Sequence, residues 1–254
     1  MRRYIEVDGN EQFSVMLGKG NSMVRYAFQC VDFTQFDAVL ESVTFSECLF
    51  LGCKFTKSMR YNLDSSNTVL TSLRVPYGVF RTSLYTPESL YEGFDWHAPE
   101  SLAKCYDSAV YSHYLAAGKR ADDVNETLAR TLHDHSMSDA LHDFLSRYDE
   151  KDVVAIMGGH SLLRTDPMYR QVVLVSKLLT ERGKLMISGG GPGAMEATHL
   201  GAWMAGRTMD EVDKALSILS RCPSFCDAGW LSSAFEGREL FSQEQHESVG
   251  VPTW

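Results

Sequence analysis

The sequence predicts an α/β fold: a doubly wound parallel sheet, incomplete within this chain, preceded by a β-rich segment. Three observations carry that expectation. Residues 153–157 (VVAIM) and 184–188 (KLMIS) are short, mainly apolar runs, as in strands buried on both faces of a parallel sheet. Each runs into glycines, Gly158-Gly159 and Gly189-Gly190-Gly191-Pro192-Gly193, and then into a segment with apolar residues at helical spacing. Residues 31–55 carry instead a strict five-residue repeat, which is neither helical nor simple strand alternation.

Composition narrows the class. At 254 residues, 44% hydrophobic and 22% charged, the chain can bury a real core and lacks the signature of disorder. The net charge of −9, with no Lys/Arg block to offset it, argues against a nucleic-acid partner. A small phosphorylated ligand, which feels local dipoles more than net charge, remains compatible. The six cysteines have no disulfide-framework spacing, and Cys222-x-x-x-Cys226 lacks a second pair for zinc, so free thiols in a reducing compartment are expected. The N-terminus has no apolar core of a signal peptide, and no apolar run is long enough to span a membrane. A cytoplasmic protein without a membrane partner is expected.

Taken in order, residues 1–30 support only short strands, with Gly9-Asn10 and Gly18-Lys19-Gly20-Asn21 as turn signals. In the five-residue repeat, Ala38, Val43, Cys48 and Cys53 are each followed two places later by Leu40, Phe45, Phe50 and Phe55. This stretch, 36–55, resembles the pentapeptide repeat, in which the chain winds a square β-solenoid with one repeat per side. Four repeats make one coil, and a single coil must lean on something else to bury its faces. A packing flap is therefore expected rather than a recognition surface. Domain 1–80 is read as this β-rich segment, 81–150 as a mostly helical linker and 151–254 as the nucleotide-binding domain.

Within the linker, Thr86 is placed to cap a helix starting at Pro87. Residues 122–148 read as helix, with Ser136 or Ser138 as the cap of a new helix start. His133 and His135, two apart, point away from each other on a helix and would not share a metal, so a solvated surface is expected there. In the last domain, Asp166-Pro167 opens a helix bearing Met168, Val172, Val175 and Leu179 on one face and closing at Gly183. Thr208-x-x-Glu211 forms a capping box for a helix through Ser220, and a further helix covers 227–240. No clear strand follows.

A strand that passes through glycines into a helix leaves unpaired N–H groups and the positive end of a helix dipole facing whatever approaches, and phosphate suits that setting. Gly189-x-Gly191-x-x-Ala194 formally matches the dinucleotide fingerprint, yet Asp210 and Glu211 open a helix where an acidic strand end is required. That disfavours NAD and FAD. The glycines lack a following Lys-Ser/Thr, so the P-loop reading fails as well.

The strings GGHS at 158–161, Asp166-Pro167-x-Tyr169 and SGGGPGAMEA at 188–197 resemble the front half of the LOG, or lysine decarboxylase-like, Rossmann proteins. They are most similar to the pyrimidine/purine nucleotide 5′-monophosphate nucleosidases, over about residues 150–206. The resemblance implies a Rossmann-like fold, a homo-oligomer, no metal and no redox cofactor. It also implies cleavage of a nucleoside 5′-monophosphate to free base and ribose 5-phosphate. Carried onto this chain, the nucleotide-binding set is Gly158, Gly159, His160, Ser161, Gly189, Gly190, Gly191, Gly193, Ala194, Met195 and Glu196. The amides at Gly190, Gly191, Gly193 and Ala194 would meet phosphate or ribose, and Glu196 the ribose hydroxyls. Glu196 and His160 are the catalytic candidates. The family's second motif, PGGxGTxxE with an upstream Arg, does not occur in this sequence. The chain is therefore expected to be either part of a longer enzyme or a non-catalytic nucleotide-binding or carrier module.

Overall fold

The computed structural model describes residues 4–242 and 247–251. They form two compact units, one drawn from the chain up to Leu90 with Tyr106–Leu145, the other from Tyr91–Cys105 with the chain from Ser146 onward. The stretch expected as a helical linker, 81–150, is thus divided between the two units.

The first unit begins with β1 (Ile5–Asp8), α1 (Gly9–Leu17), β2 (Ser22–Val24), β3 (Tyr26–Gln29) and α2 (Asp37–Leu40). It continues through β4 (Thr44–Ser46), β5 (Leu49–Leu51), α3 (Lys57–Asn62) and β6 (Thr68–Leu70). All strand pairs are parallel, in one sheet of order β1-β3-β5-β6 and a second of β2-β4. Ala27 lies opposite Leu49 and Ser22 opposite Thr44, so each strand stacks on the one a circuit earlier. Corners fall five residues apart: Arg25 and Cys30 in one circuit, Glu47 and Gly52 in the next, all with positive φ. Inside, Phe28 stacks on Phe50 at 5.2 Å and Phe33 on Phe55 at 5.6 Å between ring centroids. The Cys48 and Cys53 thiols each donate to the preceding circuit, to the Met23 and Phe28 carbonyls, both at 3.3 Å.

The five-residue period read at 36–55 therefore packs inward from Val43 to Phe55. Its first repeat departs, because Ala38 is exposed on α2. A circuit that the sequence pattern did not reveal, from Met23 to Phe33, is stacked against it. Tyr26 stands there where the pattern calls for a small side chain. The region read as short strands also contains a helix: Gly9 opens α1, which buries Phe13 among aromatic rings rather than making a turn.

The unit is completed by α4 (Pro87–Leu90), α5 (Tyr106–Ala117) and α6 (Val124–Leu145). Thr86 caps α4 as expected, its hydroxyl accepting from the Ser89 amide. α6 runs unbroken for 22 residues, so no new helix begins at Ser136 or Ser138. Ser136 is buried and donates to the Gln29 side-chain oxygen at 3.2 Å and the Val79 carbonyl at 3.3 Å. His133 is half-buried rather than solvated, with Nε2 3.0 Å from the Tyr85 hydroxyl, and burial lowers its pKa.

The second unit contains β7 (Val153–Ala155), α7 (Pro167–Glu181), β8 (Leu185–Ser188) and α8 (Ala194–Trp203), then α9 (Met209–Leu219), α10 (Trp230–Leu240) and β9 (Ser248–Gly250). The three strands are parallel in the order β7-β8-β9. β9 corrects the expectation that no strand follows α10; three residues are too few to show periodicity. β7 is shorter than the apolar run that predicted it, and with Ala155 exposed it forms an edge of the sheet among the described residues. Tyr91 and Phe94 pack against Phe235 of α10 at 5.4 and 5.2 Å, and the Trp96 indole donates to Glu239. These contacts hold 91–105 in this unit.

Local signals fix the helix ends. The Asp166 carboxylate accepts from the Met168 amide, Pro167 takes the first helical position, and Thr208 and Glu211 cap each other reciprocally. The buried face of α7 coincides only in part with the predicted apolar stripe, of which Val172 and Leu179 are half-buried. Tyr169, Val173, Ser176, Lys177 and Thr180 are buried, whereas Met168 and Val175 are exposed. Close helix packing explains this: a Cβ on Gly201 of α8 would lie 2.3 Å from the Val173 carbonyl oxygen and 2.6 Å from the Ser176 Cβ. Small side chains let α7 and α8 approach, and Ser176 donates to the Thr198 carbonyl across the contact. No helix among the described residues is long and apolar enough to cross a membrane, and none of the six cysteines is in a disulfide.

The first unit also holds an acidic group, Asp8 with Asp139 and Asp143 of α6, whose oxygens lie within 4.8 Å of one another. Burial, then the negative charges of Asp139, Asp143 and Glu6, push the Asp8 carboxyl up to about 6. A folded-state pKa above the unfolded value near 3.8 stabilises the fold at low pH and loses that contribution as pH rises towards about 6. Asp8→Asn is therefore expected to raise the thermal unfolding midpoint at pH 7.5 and to change it little at pH 4. Calorimetric scans at both values test this, and an equal shift at the two would contradict it.

Candidate functional site

The parallel register brings the carboxyl ends of β7 and β8 side by side. The Ile156 amide donates to the Ile187 carbonyl at 3.0 Å, and the Ser188 hydroxyl donates to the Ile156 carbonyl at 2.5 Å. Both glycine loops leave from this point. The first, 157–161, is exposed throughout. Gly158 and Gly159 take φ of 90° and 67°, a region that suits glycine, and this turns the Gly159 carbonyl towards the second loop. That carbonyl accepts from the Leu162 amide at 3.0 Å and from the Ala194 amide at 3.2 Å.

Contact between the loops is tight. Gly193, with φ of 75°, precedes α8, and a Cβ there would lie 2.0 Å from the Gly159 carbonyl oxygen. Any other residue at 193 would force the loops apart. On the far side of the second loop, the Met195 side chain fills the space beside Gly189 and Gly191, where added Cβ atoms would meet it at 2.5 and 2.6 Å. His199 of α8 supports the same loop. Its Nε2 lies 3.3 Å from the Gly189 carbonyl, which can only accept, so Nε2 carries the proton and Nδ1 accepts from the Ser248 hydroxyl at 3.0 Å. Burial lowers the His199 pKa, which keeps that neutral tautomer in place.

Beneath the loops lies Arg164, its side chain only 1% exposed. Nε donates to both Glu196 oxygens at 3.1 and 3.0 Å, and Nη2 donates to Glu196 Oε1 as well. Nη1 reaches the Leu219 and Cys222 carbonyls, both at 3.2 Å, and the Ser233 hydroxyl at 2.8 Å. The Trp230 ring covers the guanidinium at 4.8 Å. One buried cation thus ties together the first glycine loop, the start of α8, the end of α9 and the start of α10. Tyr169 is fully buried close by, and burial, then the charge of Glu196, raises its pKa well above the usual tyrosine value.

Above this ion pair is a pocket of about 220 Å³. Of the residues expected to bind a nucleotide, His160, Ser161, Gly193 and Glu196 line it. Gly159 and Ala194 do not; they are bonded to each other. This corrects the expectation that the Ala194 amide faces phosphate. Among the described residues no backbone carbonyl accepts from the amides of Gly190, Gly191 or Gly193, so these keep the donor capacity an anion needs. Gly158, Gly189, Gly190, Gly191 and Met195 belong to the loops and the start of α8 without lining the pocket. Glu196 is not a freely placed acceptor, since both its oxygens already receive hydrogen bonds from Arg164.

Arg164 and the 223–230 wall (Pro223, Ser224, Phe225, Trp230) were not recognised in the sequence. A cation in the otherwise apolar Leu162-Leu163-Arg164, directly after a glycine loop, is the one signal that could have marked the first. The wall sits in a loop of no periodicity.

Comparison of the chain with protein-family models, curated proteins and solved structures gives no match. The geometry therefore carries the functional argument by itself.

Removing one partner of a buried ion pair leaves the other charge uncompensated, at a cost of about 3–5 kcal/mol, whereas apolar replacement of both is far milder. Glu196→Ala is accordingly expected to destabilise the second unit by about that amount, and the double variant Arg164→Met, Glu196→Met to lose less than this single change. Urea denaturation followed by tryptophan fluorescence checks the order, and additive losses would show that the two residues are uncoupled.

Proposed function

We propose that the second unit binds a nucleoside 5′-monophosphate at the paired glycine loops, as a nucleotide-binding module of the LOG type with a Rossmann-like sheet. The observation that carries this is the start of α8 at Gly193, whose amide meets no backbone acceptor among the described residues and which lines one pocket with His160, Ser161 and Glu196. Ligands of open parallel sheets bind outside the carboxyl ends of the strands, where these loops lie. Anions suit a helix start that follows glycines. The first unit, in this reading, is a pentapeptide-type coil serving as a packing surface.

Hydrolysis of the N-glycosidic bond to base and ribose 5-phosphate is the second reading. Glu196 at the pocket and the exposed His160, a general acid for the departing base, favour it. The engagement of both Glu196 oxygens by Arg164 favours binding without turnover, because a carboxylate so held has little capacity left for ribose or water. Homo-oligomerisation belongs to the same family-level reading.

Incubating the purified chain with AMP, GMP, CMP and UMP separates the two. Calorimetry is expected to show binding of at least one nucleotide, and chromatography little free base. Steady base release, lowered about 100-fold or more by His160→Ala, would favour the hydrolase reading. Neither binding nor release would overturn both.

A further inference from the structure

The pocket is too small for a whole nucleotide: about 220 Å³, against roughly 300–1,000 Å³ for sites that enclose a drug-sized ligand. It therefore takes one moiety, and the walls say which. Much of the lining is apolar, made by Leu162, Leu163, Pro223, Phe225 and Trp230. Phe225 is 47% exposed, and its ring meets His160 at 4.9 Å between centroids with the planes 65° apart. Two rings thus form a corner that opens to solvent.

That corner is held rather than loose. The Arg164 amide donates to the Pro223 carbonyl at 3.1 Å and its guanidinium to the Cys222 carbonyl. Between them and α10, the Ser224 amide donates to Asp227 Oδ2 at 2.8 Å, and the Asp227 amide to the Ser224 carbonyl at 2.9 Å. A large aromatic ring that a braced loop leaves 47% exposed forgoes part of the burial that would otherwise stabilise the fold. Such a ring suits a planar partner supplied from outside. Stacking on it would recover that burial without moving the loop, since the loop is pre-ordered.

Resting on the nucleotide-binding reading above, we infer that Phe225 is the stacking platform for the nucleobase and that His160 meets the edge of the base. The glycine amides take the phosphate at the other end. Stacking is tolerant of base identity because every base has a π-face. The hydrogen-bonding edge presented to His160 then grades preference among bases. Phe225 is thereby the residue that separates base-bearing ligands from base-free ones, and His160 the one that separates base from base.

The test measures binding of AMP and of ribose 5-phosphate, which lacks the base, by calorimetry on the full chain. The wild type, Phe225→Ala and Phe225→Tyr are compared. Phe225→Ala is expected to weaken AMP about 10-fold or more while changing ribose 5-phosphate less than about 2-fold, and Phe225→Tyr to restore AMP binding. AMP bound equally by wild type and Phe225→Ala would overturn this inference and leave the nucleotide reading standing. Equal weakening of both ligands would overturn it too, by showing that Phe225 acts through the loop. A wild-type chain that binds neither ligand would overturn the nucleotide reading and this inference together.

Discussion

The contact between Arg164 and Glu196 is the constraint on which the second unit's candidate site depends. A guanidinium that is 1% exposed has given up its hydration and persists only if nearly every N–H finds an acceptor. Here the acceptors are a carboxylate on α8, two carbonyls from the end of α9 and the segment after it, and a hydroxyl on α10. Because those groups come from separate elements, satisfying one buried cation fixes their relative positions. The first glycine loop is carried along, being attached to Arg164 through the intervening Leu162-Leu163.

Two features of the site follow. The first glycine loop can be exposed throughout and still be held, since the Gly159–Gly193 contact and the Arg164 network support it from below. The same network changes the meaning of Glu196. As an unattached carboxylate in a first helical turn it would be a hydrogen-bond acceptor for a sugar or a base for chemistry. Clamped by Arg164, it is mainly the counter-charge of a buried ion pair with 14% side-chain exposure. In the proposed binding reading, an anion would be held by backbone amides, which the charge of Glu196 opposes and the α8 dipole favours.

Features governed by neighbouring residues were legible in the sequence. The Asp166-Pro167 start, the Thr208/Glu211 capping box, the strand at 185–188 and the two glycine loops all stand where local chemistry puts them. The five-residue repeat was legible from Val43 to Phe55. The circuit before it was hidden, because Tyr26 occupies a position the pattern assigns to a small residue. Long-range contacts escaped. The buried face of α7 is set by the backbone approach at Gly201, which overrides the apolar stripe of Met168 and Val175. Ser136 reads as a cap by type, yet its hydroxyl is satisfied by Gln29, 107 positions away. Arg164 has no local signature of burial, because all of its side-chain acceptors lie more than thirty residues downstream.

The most direct test of the account is amide hydrogen exchange with and without AMP, resolved along the chain. Protection by AMP confined to 158–163, 189–196 and 222–230 would place the ligand in the pocket above the Arg164–Glu196 pair. That is the result the account predicts. Protection in the first unit instead, with these segments unchanged while AMP is bound, would contradict it.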